Sequence, residues 1–299
     1  MLISAFSFVR NGFEYDYPFI ESIQSVLPLC DEFIIAVGNS IDKTREAIIN
    51  INSPKIKIID TVWDESLRKN GTILAQQTNI ALNHATGKWA FYIQGDEVIH
   101  EKSIETIRHF AQQYLSNEKV EGFLFNYHHF WGSYSYKAIS RNWYRNEIRM
   151  FRNTGKVRSF RDAQGFRNYS SDYEYQSGET GKKLKVKKID ASIFHYGYAR
   201  NPENMKKKSD DFHRWWHDDN WLTNNKNNDT NFNYDHYNIL SEFTDTHPAV
   251  MKNRIENQNW NFNYDNSKAR ISVKEKISLL AENLTGHRFG EYKNYKLLK

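Results

Sequence analysis

Two adjacent carboxylates, Asp96 and Glu97, follow the apolar run WAFYI at 89–93 across a short polar link, Gln94-Gly95. Acidic side chains just beyond a buried strand suit a divalent cation, because hard ions take oxygen ligands. Such an ion offsets negative charge that builds on a departing group. The competing reading of Asp96 is a turn or helix-capping residue. Farther along, Arg149, Arg152, Arg158 and Arg167 crowd one stretch. Guanidinium forks match phosphate oxygens, although a solvated basic face is the default for most of them. His213 and His217 stand four apart, a workable zinc face on a helix. Asp218 and Asp219 follow, but no acidic third ligand has a standard spacing. Cys30 is the only cysteine, so an internal disulfide and a cysteine-based zinc site are excluded. It lies in VLPLCDEFIIAV and reads as an inert buried thiol.

The elements that must carry these residues are legible in the first hundred positions. LISAFSFV at 2–9, EFIIAVG at 32–38, KIKIID at 55–60 and WAFYI at 89–93 read as strands. Between them lie helical stripes over 17–27, from Thr44 through Ile51, and from Ile73 to His84. Strand and helix in alternation predict a parallel sheet of right-handed βαβ units. Ligands in such sheets sit at the carboxyl ends of strands. The loops Gly38-Asn39-Ser40-Ile41-Asp42 and Gln94-Gly95-Asp96-Glu97 therefore face the site. From about 120 the chain turns aromatic and extended, and KLKVKKIDASIFHYGY predicts a strand pair ending in His195. Asn201-Pro202 starts a helix whose apolar side is Met205, Phe212, Trp215 and Trp216. Residues 218–235 are Asn- and Asp-rich and read as a loop. Ser272 and Glu275 form a capping box for a last helix ending near Gly286.

The order of these segments resembles a family-2 glycosyltransferase. The resemblance rests on Arg10-Asn11-Gly12 after the first strand and on Gly38-Asn39-Ser40-Ile41-Asp42-Lys43-Thr44, similar to that family's D-G-S-x-D-G-T loop. It rests also on Asn70-Gly71 with Asn79-Ile80-Ala81, and on Gly87-Lys88-Trp89 leading to Gln94-Gly95-Asp96-Glu97, the place of a D-x-D motif. The match covers about the first 100 residues, then only Arg149–Arg152, Asp162–Arg167 and His195–Tyr198. Gln94 replaces the first acid of D-x-D, and Gly38-Asn39 replaces the usual acid after strand two.

The resemblance implies an α/β fold of GT-A type, a Rossmann-like, mostly parallel sheet flanked by helices with a C-terminal helical extension. Residues 1–200 would be the catalytic domain, 1–100 its nucleotide-binding half and 101–200 its acceptor side; 201–299 would be the extension. It implies sugar transfer from a nucleotide-sugar donor, UDP-linked first, to a glycan or lipid-linked hydroxyl with inversion. Asn11, Asn39, Asp42, Asn70, Gly71, Gln94 and Asp96 would hold the donor. Mn2+ or Mg2+ would sit on Asp96, Glu97 and, as a late-strand histidine, His195, whose alternative is a hydrogen-bonded core histidine. Asp162 falls where relatives place their base, with pairing to Arg161 or Arg158 as its alternative and Asp172 and Glu174 as rivals.

Bulk properties bound the rest. A chain of 299 residues with 39% hydrophobic and 15% aromatic content suits one large domain with an appendage. Net charge of +5 and a pI near 9.0 favour anionic partners. Lysines and arginines are scattered and carry no nucleic-acid motif, so no nucleic-acid partner is expected. The rival readings are a GT-A-like binding protein without turnover, a basic nucleic-acid-binding protein and a nucleotidyltransferase. The N-terminus lacks a charged n-region and no apolar window reaches 18 residues, which predicts neither leader nor membrane span. The expected location is cytoplasmic, with a peripheral contact at the inner membrane face open to the basic tail Lys293–Lys299.

Overall fold

The computed structural model describes residues 1–64, 66–67, 71–160, 162–225, 229–235, 239–265, 267, 269, 272–286, 288 and 290–299. Four strands open the chain: β1 (Ile3–Val9), β2 (Glu32–Val37), β3 (Ile56–Asp60) and β4 (Trp89–Tyr92). Helices α1 (Phe19–Val26), α2 (Thr44–Asn50) and α3 (Thr72–Leu82) connect them. All three neighbour pairs in the order β3-β2-β1-β4 are parallel. Every residue of β2 and β4 is buried, as expected for strands covered on both faces. Helix α1 turns Phe19, Ile23 and Val26 onto the sheet, and these join Val9, Phe33 and Ile35 in the largest apolar cluster.

The second half departs from simple alternation. After β5 (Glu97–Ile99) and α4 (Ile104–Gln113) come β6 (Gly122–Trp131), β7 (Tyr136–Ala138) and β8 (Asn146–Arg152). Strand β8 inserts antiparallel between β4 and β6. A small separate sheet holds β9 (Val157–Phe160), β10 (Gly165–Asn168) and, after α5 (Asp172–Gln176), β11 (Lys182–Lys183). The long β12 (Lys185–Tyr198) pairs parallel with β6 and antiparallel with β5. The sheet is thus parallel at its N-terminal half and mixed beyond it.

Residues 201–299 carry α6 (Pro202–Arg214), α7 (Asp219–Asn224), β13 (Leu240–Glu242), α8 (Lys252–Glu256), α9 (Val273–Thr285) and β14 (Lys296–Leu297). This part is not only helical: β13 pairs with β7 and β14 with β12. Asn201 caps α6 through Glu203 N at 2.9 Å, and Ser272 and Glu275 form the expected capping box. The Asn-rich stretch is not a plain loop. Asp218 accepts from Trp221 N at 2.8 Å and so starts α7. Cys30 is buried, and burial pushes its thiol up to about 12, which leaves it inert at neutral pH. No helix among the described residues is long and apolar enough to cross a membrane.

Candidate active site

One cavity of about 980 Å3 opens over the carboxyl ends of β1 and β4. Phe8, Val9 and Arg10 come from the end of β1, and Gln94, Gly95 and Asp96 follow β4. His195 and Tyr198 come from the end of β12. Helix α6 closes the remaining side. Its residues Met205, Lys208, Asp211 and Phe212 recur at helical spacing and all line the cavity. Trp215 and Trp216, just past that helix, pack with Trp63 and Ile73. The backbone ties the same edge: Gly71 N donates to Trp215 O at 2.8 Å.

Asp96 is buried within a ring of basic groups. Its Oδ2 lies 3.2 Å from Lys208 Nζ, 3.8 Å from His195 Nε2 and 4.0 Å from Arg200 Nη2. Burial alone would raise its pKa, but Lys208 first, and Arg200 with it, overcome that and hold the carboxyl well below the usual range. Lys208 answers in kind. Burial, then repulsion from Arg200, brings its ammonium down to about 8 against the pull of Asp96.

His195 is oriented from behind. Its Nδ1 lies 3.0 Å from His129 Nδ1, and His129 Nε2 lies 2.8 Å from Tyr144 O. A carbonyl can only accept, so His129 carries its proton on Nε2 and accepts at Nδ1. His195 then donates from Nδ1 and presents the Nε2 lone pair towards Asp96. Burial lowers the pKa of both imidazoles and favours this neutral arrangement.

Glu97 does not join Asp96. Asp96 lies in the turn before β5, whereas Glu97 is that strand's first residue and is buried in the sheet. It accepts from Arg149 at 2.7 and 3.0 Å, from Tyr127 Oη at 2.7 Å and from Gln94 N at 3.1 Å. Both Glu97 and Arg149 are fully buried. Among the described residues no set of three or more His, Cys, Asp or Glu side chains converges on a point where a metal would sit. A divalent ion does not fit the donors present: Glu97 is held by Arg149, Asp96 already faces Lys208 and Arg200, and among the described residues Asp162 and Asp211, which also line the cavity, form no converging three-ligand set with it.

The residues expected to grip a nucleotide divide. Gln94 and Asp96 line the cavity; Asn11, Asn39 and Asp42 do not. Asn11, at a φ of 53°, accepts from Ile41 N at 2.9 Å. Asp42 accepts from Phe13 N, Glu14 N and Thr44 N, each at 2.9 Å. Both clamp the loop after β1 to the loop after β2. Asn39 is exposed and accepts from Trp63 N at 3.4 Å. Asn70 lies outside the described residues. Gly71 has a φ of 67° at the start of α3 and backs onto Asp162 and Trp216, where a Cβ would come within 3.0 and 3.2 Å.

Asp162 lines the cavity together with Asp96. Its rivals do not: Asp172 pairs with Arg158 at 3.0 Å, and Glu174 caps the turn at Ser170. The arginine cluster is structural. Arg152 donates to Val120 O at 2.7 Å and to Leu115 O at 3.0 Å and stacks on Trp89; Arg167 reaches Tyr292 Oη at 2.9 Å. Among the described residues the cavity's cations are Arg10 and Lys208 instead. His217 stacks on Trp221 with ring centroids 3.6 Å apart, which places the imidazole in packing rather than in a zinc set.

Sequence reasoning missed Lys208, Arg10, Trp63 and Asp211. The signal for Lys208 was available: it stands three residues after Met205 and four before Phe212, a charged residue inside an apolar stripe. Trp63 carried none, since its position over Gly38 is a tertiary contact. A Cβ on Gly38 would come within 2.5 Å of the indole nitrogen.

No protein-family model and no curated protein sequence matches the chain. Distant likenesses exist among solved structures. Staphylococcus aureus TarS 1–349 in complex with UDP aligns over 51% of this chain and 47% of its own, at 15% identity and a TM-score of 0.34. A mannosyltransferase from Pyrobaculum calidifontis, in complex with GDP-Man and Mn2+, aligns over 40% and 34% at 18% identity and a TM-score of 0.31. Glucosyl-3-phosphoglycerate synthase from Mycobacterium tuberculosis, with Mn2+, UDP and phosphoglyceric acid, aligns over 42% of each chain at 17% identity and a TM-score of 0.29. The matched part spans less than two thirds of each of these proteins.

Proposed function

We propose that this chain is a GT-A-type glycosyltransferase that moves a sugar from a nucleotide-diphosphate donor, a UDP-sugar first, to a hydroxyl of a glycan or lipid-linked acceptor. One observation carries the reading: Gln94, Asp96 and Asp162 share a cavity at the carboxyl ends of parallel strands, the place where open α/β sheets bind ligands. Two aromatic walls favour a sugar substrate over a small anion. Trp63, Trp215 and Trp216 pack together, with Arg10 over the Trp63 ring, and Trp143, Tyr198 and Phe232 belong to a second cluster that also lines the cavity. Aromatic faces match the apolar faces of sugar rings and leave polar edges to hydrogen-bond.

In this reading Asp162 takes the proton of the acceptor hydroxyl as that oxygen bonds to the anomeric carbon. The bond from the anomeric carbon to the phosphate oxygen breaks, and its electron pair leaves with the nucleoside diphosphate. The product is inverted, because attack and departure lie on opposite faces of the sugar. The place of work is the cytoplasm, where a water-soluble nucleotide sugar is the donor. A sugar-binding module without turnover is the alternative that the aromatic lining by itself also favours.

A screen of UDP-, GDP- and ADP-sugars for cleavage separates the two. Asp162→Asn is expected to lower turnover by about 10²- to 10⁴-fold, the range for loss of a general base, while UDP affinity is retained. Unchanged turnover in that variant removes Asp162 as the base. Failure of every nucleotide sugar to bind or be cleaved removes the function itself.

A further inference from the structure

Helix α6 brings a lysine to Asp96, the carboxylate just beyond β4. Lys208 Nζ donates to Asp96 Oδ2 at 3.2 Å and to Gly197 O at 3.0 Å. An ammonium has three donors, and the third has no hydrogen-bond partner among the described residues. Lys208 lines the cavity, so that donor is available to a ligand. The head group also lies over the rings of Tyr17 and Tyr198, at 5.1 and 5.6 Å. These faces hold a cation in place without neutralising it.

Arg200 reinforces the charge. It is almost wholly buried, stacks over Tyr17 at 4.8 Å, and has Nε and Nη2 atoms with no hydrogen-bond partner. Its Nη2 lies 4.0 Å from Asp96 Oδ2. Two fixed positive charges therefore face one carboxylate. A divalent ion bonded to Asp96 at about 2.1 Å would displace Lys208 and stand beside two like charges. A phosphate oxygen on the cavity side of the Lys208 ammonium, away from Asp96, would meet the opposite sign.

We propose that Lys208, backed by Arg200, supplies the positive charge that receives the leaving nucleoside diphosphate, and that donor binding needs no divalent ion. The inference rests on the glycosyltransferase reading. Lys208 keeps its proton throughout. It donates a hydrogen bond to the diphosphate oxygen that gains the electron pair, while the acceptor proton goes to Asp162. Asp96 is then a positioning residue that orients the ammonium.

The test is UDP and GDP binding by calorimetry to the whole chain, in EDTA and again in MnCl2. The expected dissociation constant agrees within about two-fold between the two conditions. Lys208→Gln in EDTA is expected to weaken binding by about ten-fold or more, as loss of a charge-assisted hydrogen bond does, and Lys208→Arg to retain most of it. Circular dichroism checks that both variants fold. If Lys208→Gln does not fold, the Mn2+ resonance of the wild type decides: protein is expected to remove no more free Mn2+ in the presence of UDP than UDP alone removes. A wild type that binds UDP only with Mn2+, or Lys208→Gln binding as tightly as wild type in EDTA, overturns the proposal and leaves the glycosyltransferase reading standing. Absence of UDP and GDP binding in both conditions overturns that reading and the proposal with it.

Discussion

Replacing Arg149 by methionine gives the sharpest measurement of how the sheet is held beneath the cavity. The guanidinium reaches both oxygens of Glu97, at 2.7 and 3.0 Å, and neither side chain is exposed. At 2.7 Å and an effective dielectric constant of about 20, the attraction is about 6 kcal/mol. Much of that is cancelled by the cost of taking both charges out of water. Methionine fills much of the volume but leaves Glu97 buried with only Tyr127 Oη and Gln94 N as donors. It also removes a cation from the rings of Tyr92 and Tyr127. Breaking one side of a buried pair costs about 3–5 kcal/mol. A domain with about 5–15 kcal/mol in total cannot lose that unnoticed. Urea unfolding followed by tryptophan fluorescence reads the change as a fall in midpoint. The double variant Arg149→Met/Glu97→Gln is expected to regain more than half of it, since glutamine carries no charge, its carbonyl oxygen still accepts from Gln94 N, and its amide N–H can donate to Tyr127 Oη, which also accepts. A cost below about 1 kcal/mol for Arg149→Met, the value of an exposed pair, would refute the burial argument. So would a double variant no more stable than the single one.

Glu147 offers a pH signature. Burial raises its pKa from 4.5 to about 7, with Arg149 and the Ile148 N–H pulling the other way. The folded state therefore binds this proton more tightly than the unfolded chain. Stability from this group is complete below about pH 4.5 and is lost as pH rises through about 7, a change of roughly 3 kcal/mol. Glu147→Gln should flatten the melting temperature across that window and raise it above pH 7; an unchanged pH profile counts against the assignment. Ser272→Ala removes a capping box at α9 and should cost about 1 kcal/mol by urea unfolding without altering UDP affinity. An unaltered midpoint would show that α9 does not unfold with the rest of the chain.

The first four strands and three helices were readable because each is a local pattern. Apolar runs of strand length alternate with stripes of helical period, and the parallel pairing of β1 to β4 follows from that alternation. The insertion of β8 was not readable. It depends on Phe151 and Met150 matching β4 and β6 at once, a fit between segments some 30 to 60 positions apart. The site divides in the same way. Asp96 and His195 stand at strand ends, and the structure brings them within 3.8 Å. Glu97 was misread because its partner Arg149 lies 52 residues away. Asn11 and Asp42 resemble ligand residues in sequence, yet their oxygens are occupied by backbone N–H groups of neighbouring loops. No spacing rule distinguishes an oxygen that holds a loop from one that holds a substrate.

The two imidazoles behind Asp96 have a further consequence. They form a line that stops at the Tyr144 carbonyl, which has no proton to give and cannot keep one. A proton that lands on His195 Nε2 has no onward route through His129 and must leave by the face it entered. The line is a cul-de-sac rather than a wire, and any acid–base traffic at this face is exchanged with the cavity alone.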